Sequence, residues 1–336
     1  MAKYLITADP VASFQPRFDT TLRLMAELRA RAIEVDYCDL LTHDPDQASA
    51  DYLADLPVRP VLSADPARLD PVELGPPRRA DARAYAVLVH RKDPPVDALY
   101  RAHAAHFAAL PPHASIAPHG AGPLQVNAPD EVLRNSEHLL AAQFPGFAVP
   151  TVHCHDLPEL VAAVRAQPHE AVVKPLAECS GRGIAFFLPD APAPALAAYW
   201  AALAPGGAVV QPYQPAITTR GDLRILVMNR RILGSVARIP RPGSRLANLH
   251  QGASFRAFDP TPPQLAAVAA VADTLTPRGL YLLGLDFIGD LLSEINFTSP
   301  SALVQINEVM QRRAERDLVD EIERLAELRP RGPDVA

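Results

Sequence analysis

The sequence predicts an α/β protein in three consecutive parts, and three observations predict it. Short β-branched runs alternate with helix-like segments up to about residue 208. From Val209 onward strand-like runs come in adjacent pairs. A helix start at Asn127-Ala-Pro129-Asp-Glu131 and a hinge at Gly206-Gly207 divide the chain. The expected parts are 1–127, 128–208 and 209–336. A chain of 336 residues can bury two or three ordinary cores.

In the first part, Tyr4 to Ala8 reads as a strand, and Asp19 can cap a helix with Leu22, Met25 and Leu28 on one face. Glu34 to Asp39 is a second strand. Residues 42–83, rich in Pro, Asp and Ala, read as a long surface excursion. Tyr85 to His90 returns as a strand, and Gln125 to Asn127 is the last one in this part. In the second part, Asp156-Leu-Pro-Glu159 opens a helix, and a strand ending at Lys174 enters a short loop. Another helix ends near Ala204. The third part opens with strand pairs, holds a loop over 240–256, and closes with a hairpin and a charged helix from Asn307.

Composition narrows the function classes. Hydrophobic residues make up 49% of the chain, and the mean hydropathy is +0.01, as expected of a soluble protein. A net charge of -6 argues against nucleic acid as a partner. No apolar run approaches the ~20 residues of a membrane span, so no membrane partner is expected. The N-terminal run reads as a first strand rather than a signal peptide. Cys38, Cys154 and Cys179 lack metal-site spacing, which fits a reducing cytoplasm.

Four segments carry the chemistry. In Gly284-Leu-Asp286 through Glu294-Ile-Asn296, hard oxygen side chains sit on a hairpin, as Mg2+ bound beside phosphates requires. Glu294 and Asn296 share a face. Asp286 joins them if it lies opposite Glu294, which needs a three-residue loop at 289–291 or an equivalent bulge. A surface hairpin with solvated acids is the alternative for this segment alone. Lys174 ends a strand at a Gly-containing loop suited to phosphate, through Ser180, Gly181 and Gly183. Arg224 and Arg238 lie in strand-like runs, where an arginine needs an anion or acid partner.

Taken in order, "QPYQPAI…GDLRILV", "ARIP…ANL" and "GLYLLGLDFIGDLLSEINFTSPS" resemble the bacterial glutathione synthetase family of the ATP-grasp superfamily. "HRKDPPVD" extends the likeness, and "ADPVASF" does so more weakly. The resemblance implies an ATP-grasp fold: an N-terminal α/β domain, a small lid subdomain and a C-terminal catalytic subdomain. It implies ATP and two Mg2+ ions, with Mn2+ as a substitute, and amide formation through an acyl phosphate. By the same resemblance, His138, Lys174, Ser180, Gly181, Gly183, Gln211, Tyr213, Gln214 and Asp222 contact the nucleotide. Arg224, Arg238 and Asn248 serve catalysis, and Asp286, Glu294 and Asn296 hold metal. Arg91 and Ser299 meet substrate. The implied partners are small peptide and amine substrates, in a homo-oligomer, dimer or tetramer.

The chain departs from the family at three places, one of them the typically Gly-rich lid segment, here Asn248-Leu-His250-Gln251-Gly252-Ala253. The family's Gly-rich "KPLDGMGGAG" is here Lys174 to Gly183 with Glu178 and Cys179, and a lysine of "NEKL" is here His138. A ligase making another small peptide or natural product, or a degenerate nucleotide-binding paralogue, therefore stands beside glutathione synthesis.

Overall fold

The computed structural model describes residues 2–43, 45, 51–117, 120–176, 181–203, 206–241, 243–245, 247 and 254–327. Among these residues the strands form three sheets. The first holds β1 (Lys3–Ala8), β2 (Glu34–Asp39), β3 (Leu56–Ala64), β4 (Val72–Leu74), β5 (Arg78–Ala80), β6 (Val87–Arg91) and β7 (Leu124–Val126). Its main order is β4-β3-β2-β1-β6-β7, parallel from β2 through β7. Helix α1 (Thr20–Ala30) connects β1 to β2, and α2 (Ala98–Ala108) follows β6. Asp19 caps α1 by accepting from the Leu22 amide at 2.8 Å, as expected.

The excursion expected over 42–83 is corrected here. It contains β3, paired with β2, β4 and β5, and it buries Tyr52, Leu53, Leu56, Val58 and Val61. Pro57 and Pro60 made the segment read as a loop, because a proline cannot donate to a ladder. The strand tolerates them because its neighbours are short and pair with it over only a few residues.

Helices α3 (Pro129–Arg134) and α4 (Glu137–Leu140) precede the middle sheet. That sheet holds β8 (Val152–Cys154), β9 (Ala171–Pro175), β10 (Ala185–Phe187) and β11 (Ala208–Pro212), in the order β10-β9-β11-β8. Helices α5 (Leu157–Arg165) and α6 (Ala193–Ala201) cover one face, closing a core around Leu160, Val164, Val173 and Leu196. Val132, Leu140 and Phe144 pack into the core of the third sheet, and β11 belongs wholly to the middle one.

After α7 (Ala216–Thr219), the third sheet holds β12 (Asp222–Met228), β13 (Arg231–Ile239), β14 (Ser254–Arg256), β15 (Leu282–Ile288) and β16 (Leu291–Asn296). Its order is β14-β13-β12-β15-β16, antiparallel throughout. α8 (Pro262–Leu275) packs on one face with Ala267, Val271 and Leu275. α9 (Leu303–Met310) and α10 (Ala314–Glu327) help to join the other face to the first sheet in a shared core of Tyr4, Ile6, Leu226, Met228, Ile306 and Leu318. The single charged helix expected from Asn307 is two helices, broken at Gln311, whose φ of 49° is left-handed.

Candidate active site

Asp222, Arg224, Leu226 and Met228 alternate with Leu223 and Ile225 along β12, so they share one face of the third sheet. Toward Met228 that face is apolar and covered. At the Asp222 end it opens into a cleft of about 510 Å³, also lined by Lys174, Gln211, Arg238, Asp286, Glu294 and Asn296. The cleft lies between the middle and third sheets, and its far end reaches Arg91 and the start of α1.

The hairpin register is the expected one. Asp286 lies opposite Glu294, and Phe287 lies opposite Leu292, so Ser293 is an extra, bulged residue. A two-residue turn at Gly289-Asp290 completes it, with Gly289 at φ 64°. The Ser293 hydroxyl donates to the Asp286 carbonyl at 3.1 Å, and Gln264 of α8 donates to the Gly289 carbonyl at 2.7 Å. Gln264 also completes a capping box with Thr261, so the helix start and the hairpin brace each other.

Cross-strand pairing then assembles the charges. Asp222 lies opposite Arg238, and Arg224 lies opposite Asp286. Arg224 donates to both Asp286 oxygens at 2.6 Å. Arg238 reaches Asp222 at 2.5 Å and Asp286 at 2.8 Å. Burial pushes the Asp286 carboxyl up, but the two guanidiniums outweigh it and hold the group well below the usual carboxylate range. Burial pushes Asp222 up, with Asp286 adding to the shift and Arg238 opposing it. The Asn296 amide donates to Asp286 at 3.2 Å, and His138 Nδ1 lies 3.5 Å from Glu294.

The middle sheet supplies the other wall. Lys174, opposite Val209 on β11, lines the cleft and has no ion-pair partner among the described residues. Gln211 is buried, donating to Thr151 at 2.8 Å and to the Ser293 carbonyl at 3.4 Å, so it ties the two sheets together. Tyr213 and Gln214 follow it into the cleft lining. Gly181 lines the cleft. Gly183, outside that lining, packs against Pro175, where an added Cβ would come within 2.6 Å of Cγ. Ser180 and Asn248 lie outside the described residues, as do Glu178 and Cys179.

At the far end, Arg91 is buried, donating to Thr21 at 3.1 Å and to the Pro300 carbonyl at 3.0 Å. Ser299 donates to the Arg91 carbonyl at 3.4 Å. Arg245 and Glu137, both in the cleft lining, had no role in the sequence reading. Arg245 donates to both Glu170 oxygens at 2.7 Å and lies over the rings of Phe186 and Tyr213, at 5.0 and 5.5 Å. Glu137 sits beneath the turn that carries Thr298 and Ser299. Arg245 carries no local sequence signal, and Glu137 stands at the glutamate of the family's "NEKL" without its partners, which lie on a distant segment.

Comparison with known proteins decides the family. Residues 137–311 match the prokaryotic glutathione synthetase ATP-grasp domain, and residues 2–116 match the N-terminal domain of the same enzyme. A glutathione synthetase of Parasynechococcus marenigrum (strain WH8102) is 30% identical over 97% of this chain and 99% of its own length. That of Prochlorococcus marinus (strain MIT 9313) is 32% identical over 90% and 93%. The chain belongs to the prokaryotic glutathione synthetase family. In fold it is similar to the D-cycloserine synthetase DcsG, with a TM-score of 0.61 at 17% identity over 96% of this chain and 99% of that one. The ATP-grasp ligase PsnB, solved with a precursor variant, Mg and ADP, gives 0.60 at 14% identity over 97% and 99%. The family is one of ATP-dependent ligases, and the three sheets are its ATP-grasp fold with the N-terminal domain. No described helix is long and apolar enough to cross a membrane.

Proposed function

We propose that this protein is a cytoplasmic carboxylate–amine ligase that joins γ-glutamylcysteine to glycine with ATP. The observation that carries the reading is the face bearing Asp222, Arg224, Arg238, Asp286, Glu294 and Asn296, set across a cleft from Lys174. Two cations and a hard-oxygen set on one wall, and a lysine on the other, suit a transferring phosphoryl group.

The donor chemistry fits magnesium. Asp286, Glu294 and the Asn296 amide oxygen are hard ligands converging on one face. Asp286 would exchange part of its arginine contact for the ion. Bound there, Mg2+, as two ions, would neutralise phosphate charge. The chain's own groups do the rest. Lys174 holds the phosphates, and Arg224 and Arg238 steady the charge that develops as the carboxylate is phosphorylated. Gln211, Tyr213 and Gln214 line the base end. Arg91 has no ion-pair partner among the described residues although it is 3% exposed, a costly state that a substrate carboxylate relieves. A second reading, a ligase for another small peptide, is favoured by His138 standing where the family resemblance implies a lysine.

The test is ADP release from Mg-ATP with γ-glutamylcysteine and glycine, with the product weighed by mass spectrometry. Glutathione is the expected product. Mg-ATP at a hundredfold excess over its Kd should stabilise the fold by about 2.7 kcal/mol, and EDTA should remove most of that. Normal ATP binding without the amide product would reject this substrate pair, and no ATP binding would reject the ligase reading.

A further inference from the structure

The turn leaving β16 carries Thr298, Ser299 and Ser301 into the cleft. One carboxylate oxygen builds it. Glu137 Oε1 accepts from the Phe297 amide at 2.7 Å, from the Thr298 amide at 2.8 Å and from the Thr298 hydroxyl at 2.8 Å. Asn127 holds the Phe297 carbonyl at 2.7 Å, and Arg91 and Arg224 reach the Pro300 and Ser301 carbonyls at 3.0 and 3.5 Å. The turn is therefore fixed from both sides, and Arg91, with no ion-pair partner among the described residues, flanks it.

Three donors on one oxygen leave the other. Glu137 Oε2 accepts no hydrogen bond from the described residues, yet Glu137 lines the cleft. A carboxylate locked by one oxygen and open at the other is a preorganised acceptor for a cation. We propose that Glu137 is a specificity-determining residue, whose open oxygen receives the ammonium of the incoming amine. With Arg91 of β6 flanking that turn, the site presents an acid and a base to one small molecule, which selects an amino acid held as a zwitterion. The helical step from Glu137 to His138, which faces Glu294, puts that ammonium near the phosphoryl end of the cleft.

This assignment rests on the ligase reading, and the test separates the two. Hydroxylamine is uncharged near neutral pH and attacks acyl phosphates without an ammonium anchor. Wild-type protein and Glu137→Gln, whose amide oxygen can keep the three turn contacts, are assayed with Mg-ATP and γ-glutamylcysteine. The nucleophile is glycine or hydroxylamine. For Glu137→Gln the glycine-to-hydroxylamine ratio of kcat/KM should fall by at least about tenfold, the loss of one charge-assisted contact, mainly through the KM for glycine. Equal losses with both nucleophiles would overturn the assignment and leave Glu137 as a builder of the turn. If Glu137→Gln does not fold, Glu137→Asp keeps the charge on a shorter arm. An unchanged ratio there, with an unchanged glycine KM, would also overturn it. A wild-type protein that forms neither amide nor hydroxamate would instead sink the ligase reading, and this assignment with it.

Discussion

On the third-sheet wall of the cleft, Asp286 lies between Arg224 and Arg238, and Asp222 completes the set. On the middle-sheet wall, Lys174 has no carboxylate partner among the described residues. On the first wall both arginines are paired with acids, so their geometry is fixed before any ligand arrives. The second leaves a cation on a half-buried strand, and no described residue complements its charge. Removing a charge should therefore damage the fold on one wall and only binding on the other.

The largest effect follows from this contrast. Asp286→Asn leaves Arg224 with no carboxylate and Arg238 with one, at a cost of about 3–5 kcal/mol for an orphaned buried charge. Lys174→Met should change unfolding free energy by less than about 0.5 kcal/mol while removing most of the melting shift given by Mg-ATP. Urea unfolding of both variants, with and without nucleotide, checks the pair. Equal losses of stability would erase the distinction between the walls.

A smaller effect concerns Glu137, whose carboxyl is pushed from its ordinary 4.5 up to about 7, by burial first and then by Glu294. Between those values the folded state holds a proton that the unfolded chain has released. This contribution to stability is present at low pH and is lost as pH rises through 7. It amounts to on the order of 3 kcal/mol. Stability measured from pH 4 to 8 without ligands should fall less steeply for Glu137→Gln than for the wild type, and parallel curves would contradict the shift.

The smallest effect lies where the walls meet. Arg245 is 47% exposed and its partner Glu170 is 22% exposed. Arg245→Ala should therefore cost less than about 1 kcal/mol. Because Arg245 pins a segment of the third sheet's loop to Phe186 and Tyr213, the KM for ATP should rise severalfold. Steady-state kinetics over ATP concentration reads this, and an unchanged KM would make Arg245 a surface contact only.

What the sequence revealed followed from parity. Alternation placed Glu294 and Asn296 together, and one bulge put Asp286 opposite Glu294. Arg224 and Arg238 stood out because strand interiors tolerate arginine only beside an anion, and here the anions are Asp286 and Asp222. Strand β3 was hidden by its prolines, whose cost depends on neighbours the local sequence does not show. Glu137 was hidden because it is held by groups some 160 residues away. A single acid opening a short helix gives no sign of that.

The chain enters the middle sheet through a segment in which Ala148 bridges Leu292 and the Val149 amide donates to the Leu292 carbonyl. It leaves just after Gln211, whose side chain bonds Thr151 across the same gap. The described residues between Thr151 and Gln211 form an excursion whose ends already touch, with Glu170 and Phe186 also reaching Arg245. Such a module can be exchanged at low entropic cost to the body that carries it. Descent can then rework that cassette piecemeal while the turn built on Glu137 stays as it was.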